Sequence, residues 1–155
     1  MAARRSKPSA GDRLVRHLRE HGLARFPGAH LKSPWPGHLD LAVKDKTFAY
    51  LNLEGDPFHI SVKLPQSNGI ALSMPGVVPA AYGLGKSGWV TLSVEHGEAL
   101  PPVELMELWL DESYRAQAPK TLLRQLDAAS GGGGAPQEKA AAKAPARRRR
   151  PGNSR

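Results

Sequence analysis

The sequence predicts an α+β fold, an antiparallel sheet with helices packed on one face. Three observations predict it. Residues 12–22 and 103–117 carry apolar side chains at helical spacing. Residues 38–64 alternate apolar and polar types, interrupted only by short turns. The elements are also segregated rather than alternating, in the order helix, three strands, short helix or loop, one or two strands, helix.

The first helix is DRLVRHLREHG, residues 12–22. Asp12 can cap or charge its first turn. Leu14, Val15 and Leu18 form the stripe, Arg13, Arg16 and Arg19 lie off it, and Gly22 suits the stop. The following LARFPGAHLKSPWPG is rich in Pro and Gly and reads as a loop, with Phe26 and Trp35 as plugs under the sheet.

Leu39, Leu41 and Val43 alternate with His38, Asp40 and Ala42, and Lys44-Asp45-Lys46 makes a tight turn. Ala49, Leu51 and Leu53 then alternate with Phe48, Tyr50 and Asn52. After a turn at Glu54-Gly55-Asp56-Pro57, Phe58, Ile60, Val62 and Leu64 alternate with His59, Ser61 and Lys63. Period two with turns this short predicts an antiparallel meander with one buried face. A helical turn is expected near Asn68 to Leu72. A further strand follows, with Val90, Leu92 and Val94 alternating with Trp89, Thr91 and Ser93.

Pro101 and Pro102 open the long second helix, where a missing N–H costs nothing. Val103, Met106, Leu110 and Tyr114 share a face that Leu105, Leu108 and Trp109 widen. Glu104, Glu107, Asp111 and Glu112 form the wet side. Pro119 ends this helix, and KTLLRQLDAA gives a last helical segment through Leu122, Leu123 and Leu126.

The 155 residues carry a formal charge of +8, unevenly spread. Residues 1–10 hold Arg4, Arg5 and Lys7 with no acid. Residues 130–155 hold Lys139, Lys143, Arg147, Arg148, Arg149, Arg150 and Arg155 against Glu138 alone. The middle, 11–129, has 12 basic against 13 acidic residues, so the basicity belongs to the ends. The domain is therefore bounded at 12–129, between basic tails of 1–11 and 130–155. Gly131 to Gly134 read as a hinge. The segment beyond them lacks Leu, Ile, Val and aromatic residues, so it is expected to be disordered. Arg147 to Arg150 would attract any polyanion, DNA, RNA or an acidic membrane surface. A solubilising tail without a partner has the same composition.

There is no cysteine, which excludes disulfides and Cys-based zinc sites. No apolar run approaches the roughly 18 residues of a membrane span. The basic opening MAARRSKPSAGDR has no apolar stretch behind it, so no secretory signal is expected. The expected location is cytoplasmic, with nucleoid association compatible with the basic ends.

Catalytic motifs are weak. His17-Leu18-Arg19-Glu20-His21 matches H-x-x-E-H, which on a helix stacks two imidazoles one turn apart. A surface helix with two histidines explains it as well, and no metal or cofactor is expected. Gly85-Lys86-Ser87 lacks the earlier glycine of a phosphate loop and leads into a strand, so nucleotide hydrolysis is not expected. His59 and His96 have no evident catalytic partner. The segment Tyr82 to Trp89 contains three glycines. Lys86 could meet a phosphate there, and Tyr82 and Trp89 could stack on a base. The competing reading is a glycine turn whose tryptophan plugs the core, as the usual burial of Trp favours.

Several landmarks occur together over Leu14 to Leu126. They are Phe26-Pro27-Gly28, Pro34-Trp35, Val43 to Leu51 (VKDKTFAYL), Ile60-Ser61-Val62-Lys63, Lys86 with Trp89-Val90-Thr91-Leu92, and Asp111-Glu112-Ser113-Tyr114. In this order the chain resembles the MmcQ/YjbR family of small bacterial proteins. The resemblance implies a fold similar to CyaY and to secretion chaperones, DNA binding through a double-wing arrangement, and no catalytic residues. Where many members read H-L-N-K, this chain has Gly83-Leu84-Gly85-Lys86, so Lys86 and Trp89 carry over and the His and Asn do not.

The expectation is a non-enzymatic protein that binds DNA or another polyanion with little sequence preference. The residues expected to bind are Arg147 to Arg150, Lys139, Lys143, Arg4, Arg5 and Lys7, with Lys63, Tyr82, Lys86 and Trp89 as a second contact. The alternative is a protein-interaction or chaperone-like module with no nucleic-acid role. A zinc enzyme built on His17, Glu20 and His21 is the remaining rival.

Overall fold

The computed structural model describes residues 7–33 and 36–134, with side chains through Ala129. The expected plug Trp35 lies outside the described residues. Two units are present, divided between Ala118 and Pro119.

In the first unit, helix α1 spans Ala10–Arg25. It starts earlier than expected because Ser9 is the cap. The Ser9 hydroxyl accepts from the Asp12 amide (3.0 Å), and the Asp12 carboxylate accepts from the Ser9 amide (3.1 Å). Asp12 also accepts from the Gly55 amide at 2.7 Å, and that bond holds its pKa below the ordinary carboxylate value. Gly22 is not the stop. A Cβ there would lie 2.6 Å from Leu41 Cδ1, so its missing side chain lets the helix approach the sheet. Arg19, expected to lie off the stripe, is buried, and its guanidinium donates to the Leu39 carbonyl at 2.8 Å.

The sheet has six antiparallel strands in the order β1-β2-β3-β4-β6-β5. They are β1 (Ala29–Lys32), β2 (Asp40–Val43), β3 (Lys46–Leu51), β4 (Phe58–Lys63), β5 (Val77–Pro79) and β6 (Trp89–Val94). The stretch expected to be a loop contains β1. Four residues suffice there because they pair with the free edge of β2, Ala29 opposite Val43 and Lys32 opposite Asp40. The expected helical turn is α2 (Asn68–Leu72).

One sheet face meets the helices through Leu41, Ala49, Leu51, Ile60, Val62, Val90 and Leu92, all buried. The simple alternation expected in β3 fails at Phe48. Leu41 pairs with Ala49 and Ala42 with Thr47, so Phe48 is the extra residue of a bulge. Its ring stands edge-on to Phe26 (5.7 Å) and Tyr114 (5.3 Å). The opposite face mixes polar side chains with Tyr50, Val78 and Trp89. Ser61 and Thr91 share a 2.7 Å hydrogen bond there, and His59 Nδ1 lies 3.1 Å from Ser93 Oγ.

Helix α3 (Val103–Gln117) begins after Pro102, as expected, and buries Met106, Trp109, Leu110, Ser113 and Tyr114. Leu108, expected in that stripe, is 66% exposed. The buried Ser113 hydroxyl donates to the Phe48 carbonyl and accepts from the Lys63 amide, joining α3 to β3 and β4. Tyr114 stacks on Phe26 at 4.7 Å and donates its hydroxyl to the Pro27 carbonyl at 2.6 Å.

The second unit contains helix α4 (Lys120–Gly134), which starts after Pro119 as expected. It continues past the expected boundary at 129 and through the four glycines. Each of these weakens a helix by about 1 kcal/mol relative to alanine. No helix among the described residues is long and apolar enough to cross a membrane.

His59 gives the fold a pH dependence. It is half-buried, and burial holds its pKa below the ordinary 6.5; nearby His38 pushes the same way and Asp40 opposes. As pH falls below about 6.5 the unfolded chain takes up this proton first. The His59 contribution to stability is therefore full above that pH and declines toward the lowered folded value. His59→Asn should flatten the dependence of the urea midpoint between pH 7.5 and 5.5. An identical slope in the variant would show that another group sets it.

Candidate nucleic-acid interface

Antiparallel pairing brings separate basic segments to one end of the sheet. β2 and β4 end there, and β3 and β6 begin there, with Val43 opposite Lys46 and Lys63 opposite Trp89. The β2–β3 turn thus presents Lys44 and Lys46 near the end that carries Lys63 and the β5–β6 loop, residues 80–88. The two hairpin ends are three strand spacings apart, roughly 14 Å.

Each hairpin is held by its own bonds. Lys44 has φ +54°, the left-handed region, which costs a non-glycine residue about 1–2 kcal/mol. Two neighbours on β1 hold the turn: His30 Nε2 lies 3.0 Å from the Lys44 carbonyl oxygen, and Lys32 donates to that of Asp45 (3.3 Å). In the β5–β6 loop the Leu64 amide donates to the Gly88 carbonyl at 2.9 Å, and Gly85 to Ala80 at 3.2 Å. Gly88 has φ +90°, and a Cβ there would lie 3.2 Å from the Leu64 carbonyl oxygen, so both conformation and space require glycine.

This loop presents Tyr82 with its side chain 100% exposed, together with an exposed Lys86 in a 3₁₀ turn, Leu84–Ser87. Lys63 is half-buried. Among the described residues, no carboxylate lies within 4.0 Å of the Lys44, Lys63 or Lys86 ammonium groups. Two acids belong to this end. Asp45 is exposed in the turn, and Glu112 accepts from the Gln66 (2.8 Å) and Ser67 (2.9 Å) amides.

Trp89 takes the core-plugging place that the usual burial of tryptophan favours. It is 5% exposed and tilts against Tyr50 with ring centroids 5.5 Å apart, so it supports the loop and cannot receive a base. Lys7 is exposed but lies before α1, whose start is tied to Gly55 at the opposite end of the sheet. The structure therefore groups Lys63, Tyr82 and Lys86 and leaves Lys7 apart. Arg4, Arg5, Lys139, Lys143 and Arg147 to Arg150 lie outside the described residues. Sequence reasoning missed Lys44 and Lys46, although their tight turn was legible, because strand order decides which turns share an end.

The acidic face of α3 also departs from expectation. Glu107 meets His17, Asp111 accepts from Arg115 at 2.6 Å, and Glu112 caps the residues after β4. The H-x-x-E-H histidines do converge with a carboxylate, but it is Glu107 rather than the exposed Glu20. Burial lowers the His21 pKa while Glu107 opposes. These three residues are the described group able to hold a metal.

An open antiparallel sheet with helices against one face and lysine-bearing hairpins at one end defines a small α+β domain. The YjbR family model matches residues 24–116. The chain belongs to the MmcQ/YjbR family, and the match starts and ends inside the span Leu14 to Leu126 of the sequence resemblance. Among solved structures, the chain is similar to a protein from Pseudomonas syringae. The identity is 19% and the TM-score 0.49, over 66% of this chain and 97% of that one. No curated protein matches.

Proposed function

We propose that the chain is a non-enzymatic nucleic-acid-binding protein that engages the phosphate backbone electrostatically and with little sequence preference. The observation that carries this reading is the convergence of Lys44, Lys46, Lys63 and Lys86 on one end of the sheet, from two hairpins and the end of β4 between them. Their separation of roughly 14 Å suits phosphates on either side of a groove about 12 Å wide. It also fits the double-wing expectation. Tyr82 offers a ring to an unstacked base. The arginines of 147–150, with Lys139, Lys143, Arg4, Arg5 and Lys7, supply further charge, and neutralising phosphates releases counterions.

The test is a titration of labelled duplex DNA with the full chain and with a chain ending at Gly134, which spares α4. Removing 135–155 should abolish most of the binding. A truncated chain that binds as tightly would remove the tail from the mechanism.

One observation favours a protein-interaction module instead. Ile70 (76% exposed) and Val78 (54% exposed) belong to α2 and the edge strand β5, which lie together. A partner held by that apolar edge would stay bound in salt that strips DNA.

A further inference from the structure

We infer that His17, His21 and Glu107 form a binding site for a divalent transition-metal cation of the zinc type, which clips α1 to α3. The two imidazoles converge on a single carboxylate oxygen. His17 Nε2 lies 2.7 Å from Glu107 Oε2, and His21 Nδ1 lies 3.7 Å from the same atom. A simple ion pair needs one imidazole, whereas two nitrogens aimed at one oxygen surround a place where a shared cation fits. One donor atom from each residue lies within 4.8 Å of the others. Around an ion with bonds near 2.1 Å the donors stand roughly 3.4 Å apart, so small side-chain rotations close the set.

The helical spacing makes this possible. His17 and His21 are one turn apart on α1, with rings 5.9 Å apart and 28° from parallel. Phe26 stands edge-on to His21 at 5.9 Å and gives that ring an apolar wall. His21 also borders an open cleft lined by Arg25, Glu104, Glu107, Leu108 and Asp111. Asp111 stands 4.0 Å from Arg25 and offsets part of that positive charge in the cleft. Two imidazoles and one carboxylate suit zinc, nickel or copper, while magnesium and calcium prefer oxygen-only sets. Three protein donors leave at least one position for water.

The experiment is calorimetric titration of the full chain with zinc chloride at pH 7.5. The expected result is one equivalent bound in the micromolar range or tighter. The pair His17→Gln/His21→Gln and the single Glu107→Gln should each weaken binding by roughly tenfold or more. His96→Gln, beside Asp12 at the start of α1 and outside the donor set, should bind as the parent does. Absence of uptake by the parent, or unchanged uptake by the double variant, overturns the site. Circular dichroism without metal establishes that each variant folds. Should one fail to fold, the parent's melting temperature decides: it must rise with excess zinc, and no rise overturns the site as well.

Discussion

Replacing Tyr114 with alanine should destabilise the first unit by about 3–5 kcal/mol, the usual cost of deleting a large buried aromatic ring. The ring is fully buried, stacks on Phe26 at 4.7 Å and meets Phe48 edge-on at 5.3 Å. Its hydroxyl closes a 2.6 Å bond to the Pro27 carbonyl. Tyr114→Phe keeps the packing and loses only that bond, for about 1 kcal/mol. Urea melts of the two variants separate the contributions. Equal losses would assign the role to the hydrogen bond, and a loss under about 1 kcal/mol for alanine would refute the packing account.

The same contacts explain why the family landmarks occur together. Tyr114 binds the Phe26-Pro27 step, and Ser113 binds Phe48 and Lys63, so three separated segments meet on α3. None of these pairings is visible from spacing.

The second large effect concerns binding. The triple variant Lys44→Glu, Lys63→Glu, Lys86→Glu should weaken duplex DNA binding by about 10–100-fold at moderate salt. It should also make the salt slope shallower by about three, one for each phosphate that no longer meets a lysine. All three ammonium groups lie on hairpin ends or a strand end, away from the helix-packed face, so the fold should persist. Equilibrium titration followed by fluorescence anisotropy measures both quantities. An unchanged slope would mean that this end of the sheet does not touch phosphate.

Local signals made much of the fold legible. The stripe Leu14, Val15, Leu18 and the Pro101-Pro102 start each mark a helix by their own chemistry. The alternations around Leu41, Leu51 and Ile60 mark strands in the same way. What escaped depends on a partner far along the chain. β1 is four residues between prolines and glycines, and only pairing with β2 makes it a strand. Gly22 looked like a helix stop because the sequence does not show Leu41 beside it. The bulge at Phe48 breaks the alternation because α3 draws that ring inward.

The candidate site follows the same rule. The charge of each lysine was evident, but grouping Lys44 with Lys63 and Lys86 required the strand order. Glu20 was the natural third member of the histidine motif because it is near in sequence. Glu107, 90 residues from His17, occupies the place instead.

The measurement that bears most directly on the account is the salt dependence of duplex DNA affinity, full chain against the chain ending at Gly134. With phosphate neutralisation as the driving force, the full chain should lose about three orders of magnitude in affinity between 50 and 200 mM salt. The shortened chain should bind far more weakly, with a shallower slope. Affinity that barely changes with salt, or a shortened chain with the same slope, would contradict electrostatic binding through these cations.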